Sequence, residues 1–505
     1  MSDRDFDVVI VGAGLGGLQC AITLAREGMS VCVLEMNQQL GGSLQVFSRD
    51  KVVFDTGVHY IGGLEPGQNL HRYFSYFGIM DKLKLRRMDM DAFDTVELLG
   101  DPESYPHAQG WDNFVNRLAA FFPGERGALE RYAKLVQDTC DRFPLYRLRD
   151  ADEREWMDDR LTHNAEQVIA SLISNTTLRS VLAGNSALYA GDHGSPFYMH
   201  ALVVNTFVES AWRCVDGGSQ IAKHLAHNAR AAGAVIHARK RVTGLDMDGG
   251  GVRAVRTADG DVFTCKRCIA NIHPVKLLEM IPPGHIRPAY RTRIRSLDNT
   301  VSSFALHLAM KPGAFPYLGR NIYKVLVPDV WGAVNYAADG WPSAYMFSTP
   351  ATSRGIDHAE AITVMTYMRY EPWTRWAGTH RTIAEPGERG EEYEDFKRGH
   401  EELLLRILEE RFPGLRSGIR SVHSTTPLTF RDFIGTPDGN MYGIRKDSAS
   451  PLRTFLSPRT KVPNLLLTGQ NLNLHGLLGV TVGSVSTCAE LVGKSHLLGR
   501  IHAAG

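Results

Sequence analysis

Val8-Val9-Ile10-Val11 is a short, wholly apolar run rich in β-branched residues. That is the pattern of a strand buried on both faces of a parallel sheet. A helix is predicted over roughly Leu18 to Glu27, ended by Gly28, and a second strand over Val31 to Leu34. Apolar residues then fall into helical spacing from Gln68 to Met80, with Leu70, Tyr73, Phe74 and Phe77 on one face. That stripe reads as core, or as the border of an apolar channel. Between 96 and 213 the pattern is helical: Trp111 to Phe122, Ala128 to Phe143, Asn164 to Ile173 and Leu178 to Ala183. Ser195-Pro196 opens another helix, with proline in its first turn. Its stretch Phe197 to Phe207 is apolar on nearly every side, so it is buried or faces a greasy ligand. The substrate tunnel is expected there.

The remainder alternates between the two periods. A helix over Gln220 to Ala232 leads into a strand, Val235 to His237. A hairpin turns at Asp248-Gly249-Gly250-Gly251, and another strand covers Val262 to Ile269. Thr300 to Met310 alternates bulky and small residues with period two, the pattern of a strand; Ala344 to Thr349 and Ala361 to Tyr370 are similar. Glu391 to Arg411 is a long amphipathic helix whose charged face is expected to be solvated. After Pro463 come an apolar strand ended by Gly469 and a helix beginning near Leu477.

Chemistry enters at Gly12-Ala13-Gly14-Leu15-Gly16-Gly17, a G-x-G-x-x-G between the first strand and the first helix. Gly12 permits the tight turn, Gly14 lets a pyrophosphate approach the backbone, and Gly17 lets helix and strand pack closely. The helix N-terminus stabilises phosphate charge. Glu35, at the end of the second strand, is placed to bond ribose hydroxyls, which argues against a 2′-phosphate and hence against NADP. An NAD domain would continue into its next helix. This chain instead makes a glycine turn, Leu40-Gly41-Gly42-Ser43, and then Phe54-Asp55-Thr56-Gly57-Val58-His59-Tyr60-Ile61-Gly62.

With those segments the sequence resembles the flavin-dependent phytoene desaturase, carotenoid isomerase and retinol saturase family, within the amine oxidase-like FAD superfamily. The phrase from Phe54 to Gly62 looks most like the saturase and isomerase branch. The C-terminal run Asn464-Leu-Leu-Leu-Thr-Gly-Gln-Asn-Leu-Asn-Leu-His-Gly-Leu-Leu-Gly-Val and the motifs Thr425 to Phe430 and Gly435 to Gly443 extend the likeness. The resemblance implies an α/β fold: a Rossmann-type FAD-binding domain built from discontinuous segments, plus a substrate domain of mixed antiparallel sheet and helices. The expected division is cofactor segments at 1–95, 214–285 and 421–505, a helical lid at 96–213, and a substrate sheet at 286–420.

The same resemblance implies that FAD is held by Gly12, Ala13, Gly14, Leu15, Gly16, Gly17, Glu35, Met36, Gly41, Gly42 and Ser43 in the first segment. It adds Gly57, Val58, His59, Val242, Asn271, Gly469, Gln470, Gly479 and Val480. Gln470 and Asn473 are expected on the ribityl chain or the flavin edge. The C-terminal helix is expected to point its N-terminus at the pyrimidine edge of the ring. Many family members carry an acid where Asn471 stands, which removes that position from proton chemistry.

The implied activity is saturation, isomerisation or desaturation of a long apolar polyene such as a carotenoid or retinoid. Since flavin carries the redox step, the protein must place a bond near the ring, exclude water and handle a proton. His59, with Tyr60 beside it, and His475 are the candidates for that proton, because imidazole titrates near neutral pH. Asp55 reads as a turn organiser. Two rivals stand: an amine oxidase-type flavoenzyme, and a non-catalytic isoprenoid carrier on the same fold, as in the Rab GDP-dissociation inhibitors. The complete glycine set and C-terminal motif favour bound flavin over a carrier.

Composition narrows the partners. A net charge of +1 over 505 residues gives no field that would attract nucleic acid. No run approaches the ~18 apolar residues of a spanning helix. With the first strand starting near residue 6 there is no room for a signal peptide, so the reading is cytoplasmic, with peripheral membrane contact compatible. Seven scattered cysteines make a disulfide framework unlikely on arithmetic alone, and Cys265-Lys-Arg-Cys268 reads as two small residues on a strand. No metal-ligand spacing is present. Without a second G-x-G-x-x-G, the electron partner stays open among a quinone, oxygen, a reductase and transient NAD(P)H, and the oligomeric state is also open.

Overall fold

The first apolar run forms strand Asp5–Val11, buried from Val8 onward, in a computed structural model that describes residues 4–152 and 157–504. Helix Leu15–Arg26 follows directly, flanked by Gly14 in extended conformation. It starts earlier than the apolar pattern implies because glycines 16 and 17 lie within its first turn. Strand Val31–Leu34 pairs parallel with Asp5–Val11. On its far side lies Val235–His237, also parallel. On the other side of Asp5–Val11 lies strand Val262–Ala270. The second half of that strand pairs parallel with Leu465–Leu467, and its first half pairs antiparallel with Gly251–Thr257, which in turn pairs with Val242–Asp248. The parallel core is thus assembled from three separated stretches of chain. Helices Leu15–Arg26, Ser219–Ala231 and Gly476–Val492 pack together on one face.

A second seven-stranded sheet runs in the order Ile419–Thr425, Ser302–Met310, Ala361–Met368, Ala344–Ser348, Asn321–Val325, Asp94–Glu97, Tyr105–His107. All neighbours are antiparallel except Asn321–Val325 with Asp94–Glu97. All nine residues of Ser302–Met310 are buried, the bulky face included. Its small face is covered by the hairpin Val46–Arg49 and Val52–Asp55, with Phe54 packed against Ala309 and Ala361. Its bulky face meets helix Glu391–Arg411 through Leu404, Leu405 and Leu408. The lid helices Trp111–Phe121, Arg126–Asp141, Ala165–Leu172 and Phe197–Glu209 pack on one another. A three-stranded sheet of Ile61–Gly62, Ala211–Cys214 and Leu85–Arg87 connects the lid to the cofactor half.

Three of the expected boundaries cut strands. The divisions at 95/96, 213/214 and 420/421 fall inside Asp94–Glu97, Ala211–Cys214 and Ile419–Thr425. These strands are short or rich in polar residues, so they lack an alternating signature, and what makes them strands is their partners. Asp-Thr-Val-Glu at 94–97 is wholly buried although half of it is charged. The helix Glu391–Arg411 is also not solvated along its entire charged face: Arg411 donates two hydrogen bonds, at 3.0 and 2.7 Å, to the buried Glu97 carboxylate. Cys265 and Cys268 are free and buried, as are the other five cysteines.

Leu408 is fully buried between the long helix and the sheet. Leu408→Ala should therefore lower unfolding free energy by about 2–5 kcal/mol, the usual loss for a core leucine. Exposed Arg406→Ala on the same helix should change it by less than about 0.5 kcal/mol. Denaturant titration of both variants checks the assignment of faces.

Candidate functional site

The glycine turn is shaped by close contact. Gly12 has φ +96°, and a Cβ there would lie 2.8 Å from the Asn271 carbonyl oxygen. A Cβ on Gly17 would collide with the Gly12 carbonyl, so helix and strand could not approach as they do. Asn271, at the end of strand Val262–Ala270, donates from its backbone N–H to the Val11 carbonyl at 2.9 Å. Its side chain fills the space left by Gly14, Gly16 and Gly469: a Cβ on any of them would sit 2.7–3.0 Å from its amide. The turn Gly41-Gly42 closes the ring of glycines, bridging to Gly14. No side chain caps helix Leu15–Arg26 at its N-terminus, and no acid stands in its first turn. The backbone N–H groups there face a cavity of about 860 Å³, a site for phosphate oxygens.

Glu35 is buried at the next position along that cavity. Its carboxylate accepts 2.8 Å hydrogen bonds from the backbone N–H of Ala13 and of Asn37. Burial raises its pKa, and those N–H groups oppose the rise. Each oxygen keeps a free lone pair for a ribose hydroxyl. Met36 and Val242 line the same end, and the Lys240 backbone N–H is fastened to the Glu35 carbonyl at 2.7 Å. Lys240 and Arg241 also line this end, as do residues 433–438, held by an Asn37 side-chain hydrogen bond to the Phe433 carbonyl at 2.7 Å. The motif Gly435 to Gly443 covered part of this segment; Lys240 and Arg241, from a loop that carries no period, and Phe433 and Ile434, at the end of helix Pro427–Ile434, were passed over.

At the other end the C-terminal helix Gly476–Val492 presents its first turn to the cavity, again without a capping side chain or an acid. Gly469, Gln470, Gly479 and Val480 line the wall beside Asn271. Asn471 accepts from the Ile444 backbone N–H at 3.2 Å and is buried, so it ties the loop down. Asn473 does not reach the cavity; its amide is oriented to donate to the Leu456 and Leu472 carbonyls. Across from this loop run Ser43, Gly57, Val58, His59 and Tyr60. Asp55 holds that segment in place by accepting from the Gly218 backbone N–H at 2.7 Å, and burial pushes its pKa up to about 7.

Of the predicted site residues, Ala13 and Gly17 lie behind the cavity wall, where they shape the turn, and Asn473 likewise does not line it. The three proton candidates differ. Both ring nitrogens of His59 are buried and have no partner among the described residues. Burial, helped by the Arg213 charge, lowers its pKa to about 4, so the ring is neutral at pH 7 and offers one donor and one acceptor to the cavity. His475 stacks on Tyr442 with centroids 4.3 Å apart, and burial lowers its pKa to about 3. The Tyr60 hydroxyl is already engaged, donating to Asp94 at 2.9 Å and bonded to the Tyr323 hydroxyl at 2.8 Å.

Beyond these groups the cavity widens into an apolar lobe. Helix Phe197–Glu209 faces it with Met199, Leu202, Val203, Thr206 and Phe207, the i, i+3, i+4, i+7, i+8 stripe of one helical face. Val325, Met346 and Met365 of the second sheet form the opposite wall, and Leu70 closes one side. Tyr73, Phe74 and Phe77, which share the Leu70 stripe, pack instead into the core.

The glycine cradle, the two uncapped helix starts, the acid at 35 and the unpartnered imidazole together fit FAD stretched from Glu35 to His475. The comparisons agree. Residues 15–373 match the family described as flavin containing amine oxidoreductase. An all-trans-retinol 13,14-reductase of Danio rerio is 25% identical, covering 98% of this chain and 87% of that protein. A prolycopene isomerase of an Oncidium hybrid cultivar is 22% identical, covering 87% of this chain and 75% of that protein. A solved oxidoreductase from Methanosarcina mazei superposes with a TM-score of 0.64 at 15% identity, covering 95% of this chain and 99% of that one. Among the described residues, no helix is long and apolar enough to cross a membrane. The chain is an FAD-dependent oxidoreductase that belongs to the flavin containing amine oxidoreductases, in the branch of the phytoene desaturase, carotenoid isomerase and retinol saturase-like enzymes.

Proposed function

We propose that this enzyme acts on C=C or C–C bonds of a long apolar polyene of the retinoid or carotenoid kind, by saturation, isomerisation or desaturation. The observation that carries the reading is the apolar lobe, walled by one full face of helix Phe197–Glu209 and by the methionines of the second sheet. A polyene gains about 25 cal/mol for each Å² of apolar surface it buries there, and a dry lobe keeps water from the reacting bond. FAD, when bound, supplies two-electron chemistry at the junction of lobe and cradle. The protein's share is to align the polyene and to handle a proton.

An amine substrate is less well served. The carboxylates on the cavity wall are Glu35, Asp432 and Asp438. Glu35 is at the ribose position, and the other two belong to the segment fastened to Asn37. Asp432 is moreover paired with Arg389 and Arg431. Among the described residues, none stands in the apolar lobe to balance an ammonium. A carrier without cofactor would leave the glycine cradle and the two open helix starts without a role.

Two variants test the two ends of the cavity separately. Glu35→Ala should purify with FAD content reduced by at least about tenfold, the loss of a charge-assisted ribose hydrogen bond; full retention of the flavin absorbance removes Glu35 from the ribose. Val203→Trp should keep the wild-type flavin spectrum while lowering polyene turnover by about tenfold or more, because the lobe is filled. Unchanged turnover by that variant would place the substrate elsewhere.

A further inference from the structure

Behind the cavity wall lies a buried polar chain for which the cofactor has no use. Asp94 is fully buried in its strand. Its Oδ2 accepts from the Tyr60 hydroxyl at 2.9 Å, and Tyr60 is bonded to the Tyr323 hydroxyl at 2.8 Å. Both tyrosines line the cavity and Asp94 does not. The three residues come from three places: the loop after the Val52–Asp55 strand, the strand Asp94–Glu97, and the strand Asn321–Val325 in parallel register beside it. We propose that Asp94, Tyr60 and Tyr323 form a relay that delivers a proton into the cavity at the Tyr323 hydroxyl.

Hydrogen-bond direction along the chain depends on Asp94. With Asp94 ionised, Tyr60 donates to the carboxylate and Tyr323 donates to Tyr60, so no O–H points into the cavity. With Asp94 protonated, its proton goes to Tyr60, Tyr60 donates to Tyr323, and the Tyr323 O–H is free for a substrate. One proton on Asp94 thus sets the direction of the whole chain. The surroundings suit a carboxyl that changes state. Asn321 donates to Oδ1 at 2.9 Å and Asn185 to Oδ2 at 3.4 Å. Arg213 acts at one remove, donating to the Asn321 side chain at 2.7 Å. Across the neighbouring strand pair stands His107, bonded to the Val181 carbonyl and kept neutral by burial. Burial raises Asp94 to about 7, while Asn321, Tyr60, Asn185 and the Arg213 charge oppose the rise. Both protonation states are therefore populated near neutral pH. The phenols themselves are held well above their ordinary range by burial, so they pass a proton on rather than keep a charge.

This rests on the polyene reading and deepens it. In saturation, reduced FAD held by the glycine cradle and Glu35 would supply the hydride for one carbon of the double bond and would itself be oxidised. The adjacent carbon takes the proton of the Tyr323 hydroxyl. Tyr323 is restored from Tyr60 and Tyr60 from the Asp94 carboxyl. Asp94 is left as the carboxylate and takes a proton from water before the next turnover. Run backwards, the same chain accepts the proton lost when a C–C bond is desaturated.

The test has two parts. On the purified holoenzyme without substrate, the infrared carbonyl band of a buried carboxyl should titrate near pH 7 in wild type. Asp55 is also buried, pushed up to about 7, and gives a second such band, so the Asp94 band is the component lost in Asp94→Asn. That component should titrate at higher pH in Tyr60→Phe, which removes a stabilising donor. With polyene, Tyr323→Phe should keep flavin and polyene binding while slowing turnover by about 100-fold, the size of a general-acid contribution. It should also lose the solvent-deuterium effect. An Asp94 component that does not titrate between pH 5 and 9, a band unchanged in Asp94→Asn, or a Tyr323→Phe enzyme with wild-type rate and pH profile, would overturn the relay. If wild type turns over no polyene, the substrate reading fails, and the infrared titration still decides whether Asp94 changes state.

Discussion

The close approach of three backbones around Asn271 is the constraint on which the rest of this structure depends. Gly12, Gly17 and Gly469 each lie where a Cβ would strike the Asn271 backbone, the Gly12 carbonyl or the Asn271 amide. Those contacts bring the first strand, the first helix, the middle strand and the C-terminal loop to one point, although they lie hundreds of residues apart in the chain. Both helix N-termini then open on the same cavity, and the partial positive charge of each faces it. Long-range closure of this kind costs chain entropy. It is stabilised by the buried parallel sheet, whose strands are apolar on both faces.

The second sheet does a different job. Its strands carry polar residues to buried positions, where each must be paired. Glu97 is paired by Arg411, and Asp94 by Asn321 and Tyr60; Asn321 in turn accepts from Arg213 of the neighbouring three-stranded sheet. Both carboxylates lie in strand Asp94–Glu97, so these pairings hold that strand beside Asn321–Val325 and against helix Glu391–Arg411. Polar chemistry sits at the neck of the cavity, and the lobe itself is greasy.

How much of this could be read from the sequence depended on whether a residue owes its position to local pattern or to distant partners. The strand, turn and helix from Val8 to Leu34 were legible because strand burial, glycine conformation and the acid at 35 are all local. The tunnel face of Phe197 to Phe207 was legible as an apolar helix, though which of its sides meets the cavity was not. Asp94–Glu97 was invisible as a strand: its charged residues are buried only because Arg411, Asn321 and Tyr60 reach them from elsewhere. Tyr60 was singled out as the neighbour of His59, but its bonding to Asp94 and Tyr323 is set by sheet register, which no spacing rule reveals. Lys240 and Arg241 reach the Glu35 end of the cavity from a loop, where sequence carries no period. Residues 433–438 were legible only in part, through the motif that begins at Gly435.

The central claim is that the apolar lobe presents a polyene bond to the flavin. The most direct measurement is to hold the holoenzyme free of oxygen, first with oxidised and then with reduced flavin. All-trans and cis polyenes are then added while the flavin and polyene absorbances are followed together. In one redox state the polyene spectrum should shift, with loss, gain or rearrangement of double bonds, and the flavin spectrum should change in step if electrons are exchanged. Polyenes left unchanged in both states, with the oxidised flavin instead bleached by an amine, would contradict that claim.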